Sequence, residues 1–144
     1  AMKSKIMKLV LWDSVVTTKK ALFDQVATLL QENDVIESPR QAIKLWQQRE
    51  KMGSTMIDQL LAAPHAQARS IKRNTVVLVH TCKPIQQWDE HDDAQNFIFC
   101  CIQQDISKLD ADTITRTLKL AISDDSQHAF QQNAKAQIIK ILDF

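Results

Sequence analysis

The pattern of apolar positions changes period along the chain. Ile6-Met7-Lys8-Leu9-Val10-Leu11-Trp12 is short and largely apolar and predicts a first strand. Leu22, Val26, Leu29 and Leu30 then recur at i, i+4, i+7 and i+8, which predicts an amphipathic helix near residues 18–32. Ser38-Pro39 reads as the start of a second helix, a hydroxyl cap followed by a proline whose missing N–H costs nothing in the first turn. That helix carries Ala42, Ile43, Leu45 and Trp46 and is expected to end at Met52, because Gly53 follows and a glycine just past a helix end adopts positive φ most cheaply.

The middle of the chain reads as strands. Leu60-Leu61-Ala62-Ala63 is a short apolar segment stopped by Pro64, which leaves His65 in a loop at a strand's end. Thr75 to His80 is β-branched and predicts a strand, and Phe97 to Ile102 is continuously apolar, as a strand buried on both faces should be. Lys83 to Asp93 forms a turn-rich acidic connection with room for a hairpin strand. Helical periodicity returns with Ile114, Leu118, Ala121 and Ile122 on one face and Ala134, Ile138, Ile139 and Leu142 on another. Helices, then strands, then helices predict an α/β fold, a single-layer sheet sandwiched between helices, in one domain over 1–144.

Composition narrows the function. The 144 residues include one glycine, where about ten would be usual. Glycine-built cradles are therefore excluded: no G-x-G-x-x-G turn, P-loop or EF-hand loop can be assembled. At 44% hydrophobic and 24% charged the chain can bury a core as a soluble globular domain. A net charge of +1 with dispersed Lys and Arg gives no field that draws it to nucleic acid or membrane. Its apolar runs are far short of a membrane span, and the basic start at AMKSKIMKLVLW lacks the apolar core of a secretory signal. Cys82, Cys100 and Cys101 are odd in number and lack C-x-x-C spacing, against a disulfide framework or zinc knuckle and in favour of a reducing cytoplasm. They are expected to be buried, inert strand residues.

Histidine carries the candidate chemistry near neutral pH. His80, Cys82, Asp89, His91 and Asp92 have ligand chemistry, but their spacing matches no standard zinc pattern and an acidic surface hairpin accounts for them, so no metal or cofactor is assigned. His128 lies on a short polar helix and is expected at the surface. His65 stands where ligands usually bind in α/β sheets, at the end of a strand, although the polarity of loops alone also accounts for such a residue.

Arg49-Glu50-Lys51-Met52-Gly53-Ser54-Thr55, followed by Ala62-Ala63-Pro64-His65-Ala66, resembles the type-2 (fructose/mannitol) enzyme IIA family of the bacterial phosphoenolpyruvate-dependent sugar phosphotransferase system, whose pattern runs roughly R-E-x-x-G-S-T-x-I-G-x-G-x-A-x-P-H-A. The spacing from Gly-Ser-Thr to Pro-His matches without insertion. Lys83-Pro84-Ile85 with Trp88-Asp89 is similar to the family's P-I-x-W-x-D hairpin, and Ala121 to Leu142 resembles its closing helices. The resemblance implies a mixed, mostly parallel sheet with helices on both faces, and a cytoplasmic phosphocarrier in uptake of a sugar or sugar alcohol. His65 would accept a phosphoryl group from the phosphohistidine of HPr and pass it to a cysteine or histidine of a IIB component. The chain would meet the membrane only through the permease and would need no cofactor and no nucleic acid.

The residue types suit that chemistry. A neutral imidazole is a nucleophile at neutral pH, and the charge on the transferring group calls for cations and N–H donors. Arg49 offers a planar charged fork, although a solvated arginine near a helix C-terminus is favourable for the dipole alone. Ser54 and Thr55 offer hydroxyls or backbone N–H groups as phosphate-binding support. Met52, Met56 and Leu60 are candidates for an apolar partner-binding face or, equally, for core packing. Asp58 and Leu60 stand where the family has glycines, and Ala111, flanked by Asp110 and Asp112, stands where many members carry a second histidine. The retained acceptor, arginine and Gly-Ser-Thr rank a working carrier first; the lost histidine and glycines keep open a regulatory module switched at His65 and a binding domain without phosphoryl chemistry.

Overall fold

The structure, a computed structural model, describes residues 5–144; the first residues of the basic N-terminal stretch lie outside the described residues. The chain runs β1 (Met7–Ser14), α1 (Lys19–Glu32), α2 (Pro39–Met52), β2 (Met56–Asp58), β3 (Leu60–Ala62), β4 (His65–Ala68), β5 (Thr75–Ile85), β6 (Ala94–Gln103), α3 (Lys108–Ala121), α4 (Asp124–Gln131) and α5 (Lys135–Leu142). The sheet order is β1-β5-β6-β3-β2, with β4 also on β6, beyond β3 along the same edge. Three of its five pairings are parallel (β1/β5, β3/β6, β4/β6) and two antiparallel (β2/β3, β5/β6). The expected mixed sheet with helices on both faces is the observed one.

Side-chain alternation along the two central strands divides the core. Val77, Val79, Phe97, Phe99 and Cys101 enter one cluster with Leu22, Phe23, Val26 and Leu30 of α1 and Ala42 and Trp46 of α2. Val76, Leu78, Ile98 and Cys100 enter the other with Ile114 and Ala121 of α3, Ala129 and Phe130 of α4, and Ile138 and Leu142 of α5. Continuous hydrophobicity in β6 thus reflects burial on both faces. Aromatic rings fill the first cluster: Phe99 lies 5.0 Å from Trp46 and 6.0 Å from Phe23 between ring centroids, both edge-on.

Helix starts follow local chemistry. Thr18, Ser107 and Ser123 each accept a backbone N–H through the side chain at an N-cap. Ser38 occupies the N-cap of α2 but its side chain makes no capping bond, and Pro39 in the first turn carries the start instead.

Three expectations are corrected. The strand expected at Thr75 to His80 continues to Ile85, so Lys83-Pro84-Ile85 is strand rather than connection. Proline is tolerated there because the ladder with β6 shifts register between His80 and Ile85, freeing its missing donor from any partner. His65 is not in a loop; it opens β4, aligned with Cys100 of β6. A four-residue strand of sequence His-Ala-Gln-Ala has too little apolar alternation to be read from periodicity. Cys82 is exposed, its thiol donating to the Asp13 carbonyl at 3.2 Å, because it falls in the irregular part of β5. Cys100 and Cys101 are buried as expected, and burial pushes the Cys100 thiol up to about 12, which makes it inert.

Replacing Phe99 by Ala removes the ring that joins α1 and α2 to β6. We expect Phe99→Ala to cost about 3–5 kcal/mol in chemical denaturation; a loss under 1 kcal/mol would show that this cluster does not hold the sheet to its helices.

Candidate functional site

The last turn of α2 carries Arg49 and Glu50 and closes on the single glycine. Gly53 stands at φ 151°, ψ 167°, a region essentially reserved for glycine. A Cβ built there would meet nothing within 4 Å, so the backbone angle, not a close approach, requires glycine. The turn is held by Gly53 N–H on the Glu50 carbonyl at 3.3 Å and by Arg49 Nη1 donating to the Gly53 carbonyl at 3.0 Å.

Beyond the turn, the hydroxyls of Ser54 and Thr55 already have partners. Ser54 is exposed; its Oγ donates to Asp89 Oδ2 at 2.5 Å and accepts from Met56 N–H at 3.1 Å. That hydroxyl, then the backbone N–H of His91, hold the Asp89 carboxyl below its usual range. Thr55 is buried; its Oγ1 donates to Glu50 Oε1 at 2.8 Å and accepts from Trp88 Nε1 at 3.4 Å. Lys19 Nζ lies 3.9 Å from Glu50 Oε2 and 4.5 Å above the Trp88 ring. Burial lowers its pKa, and the charges of Glu50 and Asp89 oppose that shift. Glu50 and Trp88 stand in the motif-like stretches Arg49-Glu50 and Trp88-Asp89 but carry no assigned role in sequence, because their contacts with Thr55, 5 and 33 positions away, exist only in the fold.

His65 is placed by backbone on both sides. The Ala63 N–H donates to the Thr55 carbonyl at 2.8 Å, and the Pro64 carbonyl accepts from Cys100 N–H at 2.9 Å. The imidazole is half-buried and its Nδ1 meets the Ala63 carbonyl. A carbonyl can only accept, so Nδ1 carries the proton and the neutral ring presents the lone pair of Nε2. Burial holds the His65 pKa below the ordinary imidazole value; the Ala63 carbonyl opposes that by favouring the charged ring, and the positive charge of Arg49 lowers it further. Arg49 and His65, 16 positions apart in sequence, therefore act on one another in the fold.

The departures from the family pattern have distinct geometries. Leu60 stands at φ 57°, so the position does require the left-handed conformation, at a cost of about 1–3 kcal/mol for a non-glycine residue. Its half-buried side chain lines a cavity of about 300 Å³ together with Leu61 and Phe130. Asp58 does not take positive φ. Its Oδ1 accepts from Gln59 N–H at 2.8 Å and from Gln127 Nε2 of α4 at 3.0 Å, which ties the carboxylate to α4. Ala111 lies in the first turn of α3, and neighbouring Asp110 accepts from Lys5 N–H at 3.1 Å and Asn74 Nδ2 at 3.2 Å, linking α3 to the start of the sheet. Met52 is 83% exposed, whereas Met56 is half-buried against the first core cluster.

The other histidines lie in different surroundings. His80 is buried, 2.6 Å through Nδ1 from Asn96 Oδ1 and stacked on Trp12 at 4.5 Å. His91 and His128 are exposed. Among the described residues no three His, Cys, Asp or Glu side chains converge as a metal site: His80 packs in the sheet, while Asp89 caps its own turn through the N–H groups of His91 and Asp92.

The profile of the family described as the phosphoenolpyruvate-dependent sugar phosphotransferase system, EIIA 2, matches residues 6–144. The chain belongs to this family. Among solved structures, this type-2 enzyme IIA is similar to the nitrogen regulatory protein IIA-Ntr from Neisseria meningitidis, with a TM-score of 0.72 and 19% identity over 90% of this chain and 92% of that one. It is similar to the enzyme IIA for mannitol from Escherichia coli, with a TM-score of 0.69 and 16% identity over 92% and 94%. The Escherichia coli complex of enzyme IIAMTL with phosphorylated enzyme IIBMTL gives a TM-score of 0.69 and 16% identity over 93% of each chain. At these identities the likeness is one of fold. No curated protein matches the chain. Among the described residues, no helix of this enzyme IIA is long and apolar enough to cross a membrane.

Two outcomes are expected of this geometry. Gly53→Ala should lower stability by about 1–3 kcal/mol through backbone strain alone, read as a shift of the denaturation midpoint at unchanged slope; an unchanged midpoint would mean the turn relaxes to another conformation. For His65, the folded pKa lies below the unfolded value of about 6.5, so the unfolded state binds more protons in between and stability falls as pH drops from about 6.5 through the folded value. The Tm of His65→Gln should lose that part of the pH dependence, and identical Tm-against-pH curves for variant and parent would refute the assignment.

Proposed function

We propose that this enzyme IIA is a phosphocarrier whose acceptor atom is Nε2 of His65. One observation carries the reading: the ring is fixed through Nδ1 on the Ala63 carbonyl, which leaves Nε2 unprotonated, within the field of Arg49. The Nε2 lone pair attacks the phosphorus of a phosphohistidine on HPr. A new N–P bond forms as the old one breaks, and its electron pair returns to the donor's ring nitrogen. His65 loses no proton in this step, because Nδ1 keeps its hydrogen throughout. The reverse geometry hands the group to a cysteine or histidine of a IIB component, in uptake of a sugar or sugar alcohol at the cytoplasmic side of a permease.

Arg49 supports the loose, oxygen-charged transition state with a permanent planar cation. Its hydrogen bond to the Gly53 carbonyl uses only part of the guanidinium, which has five N–H donors. Backbone N–H groups of Ser54 and Thr55 are the remaining support, since the two hydroxyls and the Gly53 N–H are occupied. Met52, exposed at the end of the same helix, supplies apolar surface to a docking partner, with the half-buried Met56 and Leu60 as further partner-binding residues.

A second reading, in which phosphorylation of His65 switches a partner instead of feeding a permease, is favoured by Ala111 and Leu60 at the positions of a family histidine and glycine. Onward transfer to a IIB component separates the two.

Incubated with phosphoenolpyruvate, enzyme I and HPr, the chain should gain one acid-labile phosphoryl group by intact mass, and His65→Ala should gain none. Arg49→Ala should slow the gain by roughly 10²-fold or more, as loss of a charge-stabilising donor does, with its thermal stability retained. The rate should be level near neutral pH and decline only as pH falls through the lowered His65 value. Absence of any phosphoryl gain, or its persistence in His65→Ala, would overturn the proposal.

A further inference from the structure

The hydrogen-bond chain behind His65 begins on the helix that carries Arg49. Glu50 has 11% of its side chain exposed, and both of its oxygens are committed, Oε1 to the Thr55 hydroxyl at 2.8 Å and Oε2 toward Lys19 at 3.9 Å. A carboxylate so removed from water is costly unless it is paired and hydrogen-bonded. Its partner Thr55 is 3% exposed and also receives the indole N–H of Trp88. Through its own carbonyl, Thr55 then holds the N–H of Ala63, a residue with no exposed surface. The carbonyl of that same residue fixes Nδ1 of His65.

We propose that Glu50 is a positioning residue for the phosphoryl site, acting through Thr55 on the Ala63 carbonyl that sets the tautomer and angle of His65. The inference rests on the reading of His65 as acceptor. Glu50 does not touch the transferring group; a carboxylate there would repel it, and this one faces inward. Its place in the chain accounts for the arrangement. Arg49 and Glu50 are consecutive in the last turn of α2, so one turn of helix supplies both the charge that acts on His65 and the anchor for the strand that delivers His65. The bond from Glu50 to Thr55 therefore ties the turn that carries the cation to the segment that carries the acceptor and opposes a change in their separation. Errors of 1 Å in such a separation cost about 10²-fold in rate.

Four variants of the full chain test this. Glu50→Ala and Thr55→Val remove the side-chain bond, whereas Glu50→Gln retains an oxygen acceptor for Thr55 and Thr55→Ser retains the hydroxyl. The first reading is the tautomer of His65 from its ring nitrogen-15 shifts, which a merely structural residue would not alter; the second is the rate of phosphoryl gain from phospho-HPr. Glu50→Ala and Thr55→Val should lose the dominance of the Nδ1–H form and slow transfer by roughly 10- to 100-fold, with the half-saturating HPr concentration changed less than about threefold. Glu50→Gln and Thr55→Ser should keep the tautomer and stay within about threefold of the parent rate. Unchanged tautomer and rate in folded Thr55→Val would overturn the proposal, and that variant decides the matter should Glu50→Ala fail to fold. If the parent chain gains no phosphoryl group, the reading of His65 as acceptor fails, while the tautomer measurement still tests the role of Glu50.

Discussion

Burial of β6 on both faces is the constraint from which the other placements follow. Its odd and even side chains enter two separate cores, one closed by α1 and α2 and the other by α3, α4 and α5. Its two backbone edges hold β5 on one side and β3 followed by β4 on the other. A strand in this position has no polar face to expose, and its register with each neighbour is set by which residues must point to which core. Because Cys100 points into the second core and pairs with His65, the register that satisfies the core also decides where the imidazole emerges from the sheet. The placement of His65 and the packing of the core are here the same constraint.

The site built on that frame depends more on backbone than on side-chain charge. Carbonyls of Thr55, Ala63 and Pro64 and the N–H groups of Ala63 and Cys100 locate the histidine. The Gly53 turn presents Arg49 beside it, using a backbone angle that side chains disfavour. Two positive-φ residues belong to this region: Gly53 precedes the short β2/β3 hairpin that leads into His65, and Leu60 opens its second strand. Leu60 shows that a position occupied by glycine elsewhere in the family can hold a branched apolar residue when the side chain finds partial burial.

Much of the fold could be read along the chain. The helices over 19–32 and 39–52 carry a clear 3.6-residue period and identifiable starts, and the strand at Phe97 to Ile102 carries the continuous hydrophobicity of double burial. What resisted reading was short or irregular. His-Ala-Gln-Ala has no apolar pattern of its own and is a strand only because β6 offers an edge. The extension of β5 through Pro84 depends on a register shift that no local propensity announces. Cys82 lies at the surface for the same reason.

The sequence by itself determined the helices and the central strands, the α/β sandwich, the unusual scarcity of glycine and the motif that joins Arg49, Gly53 and His65 at fixed spacing. It could do so because periodicity, capping chemistry and motif spacing are local properties of a chain. Tertiary structure alone decided which groups remain free to react. The hydroxyls of Ser54 and Thr55 look available in sequence and are spent on Asp89 and Glu50, partners 35 and 5 positions away. Which nitrogen of His65 keeps its lone pair is set by a carbonyl whose position depends on contacts spanning α2, β4 and β6. Hydrogen bonds are directional and each donor can be used fully only once, so availability is a property of the folded network and cannot be assigned residue by residue.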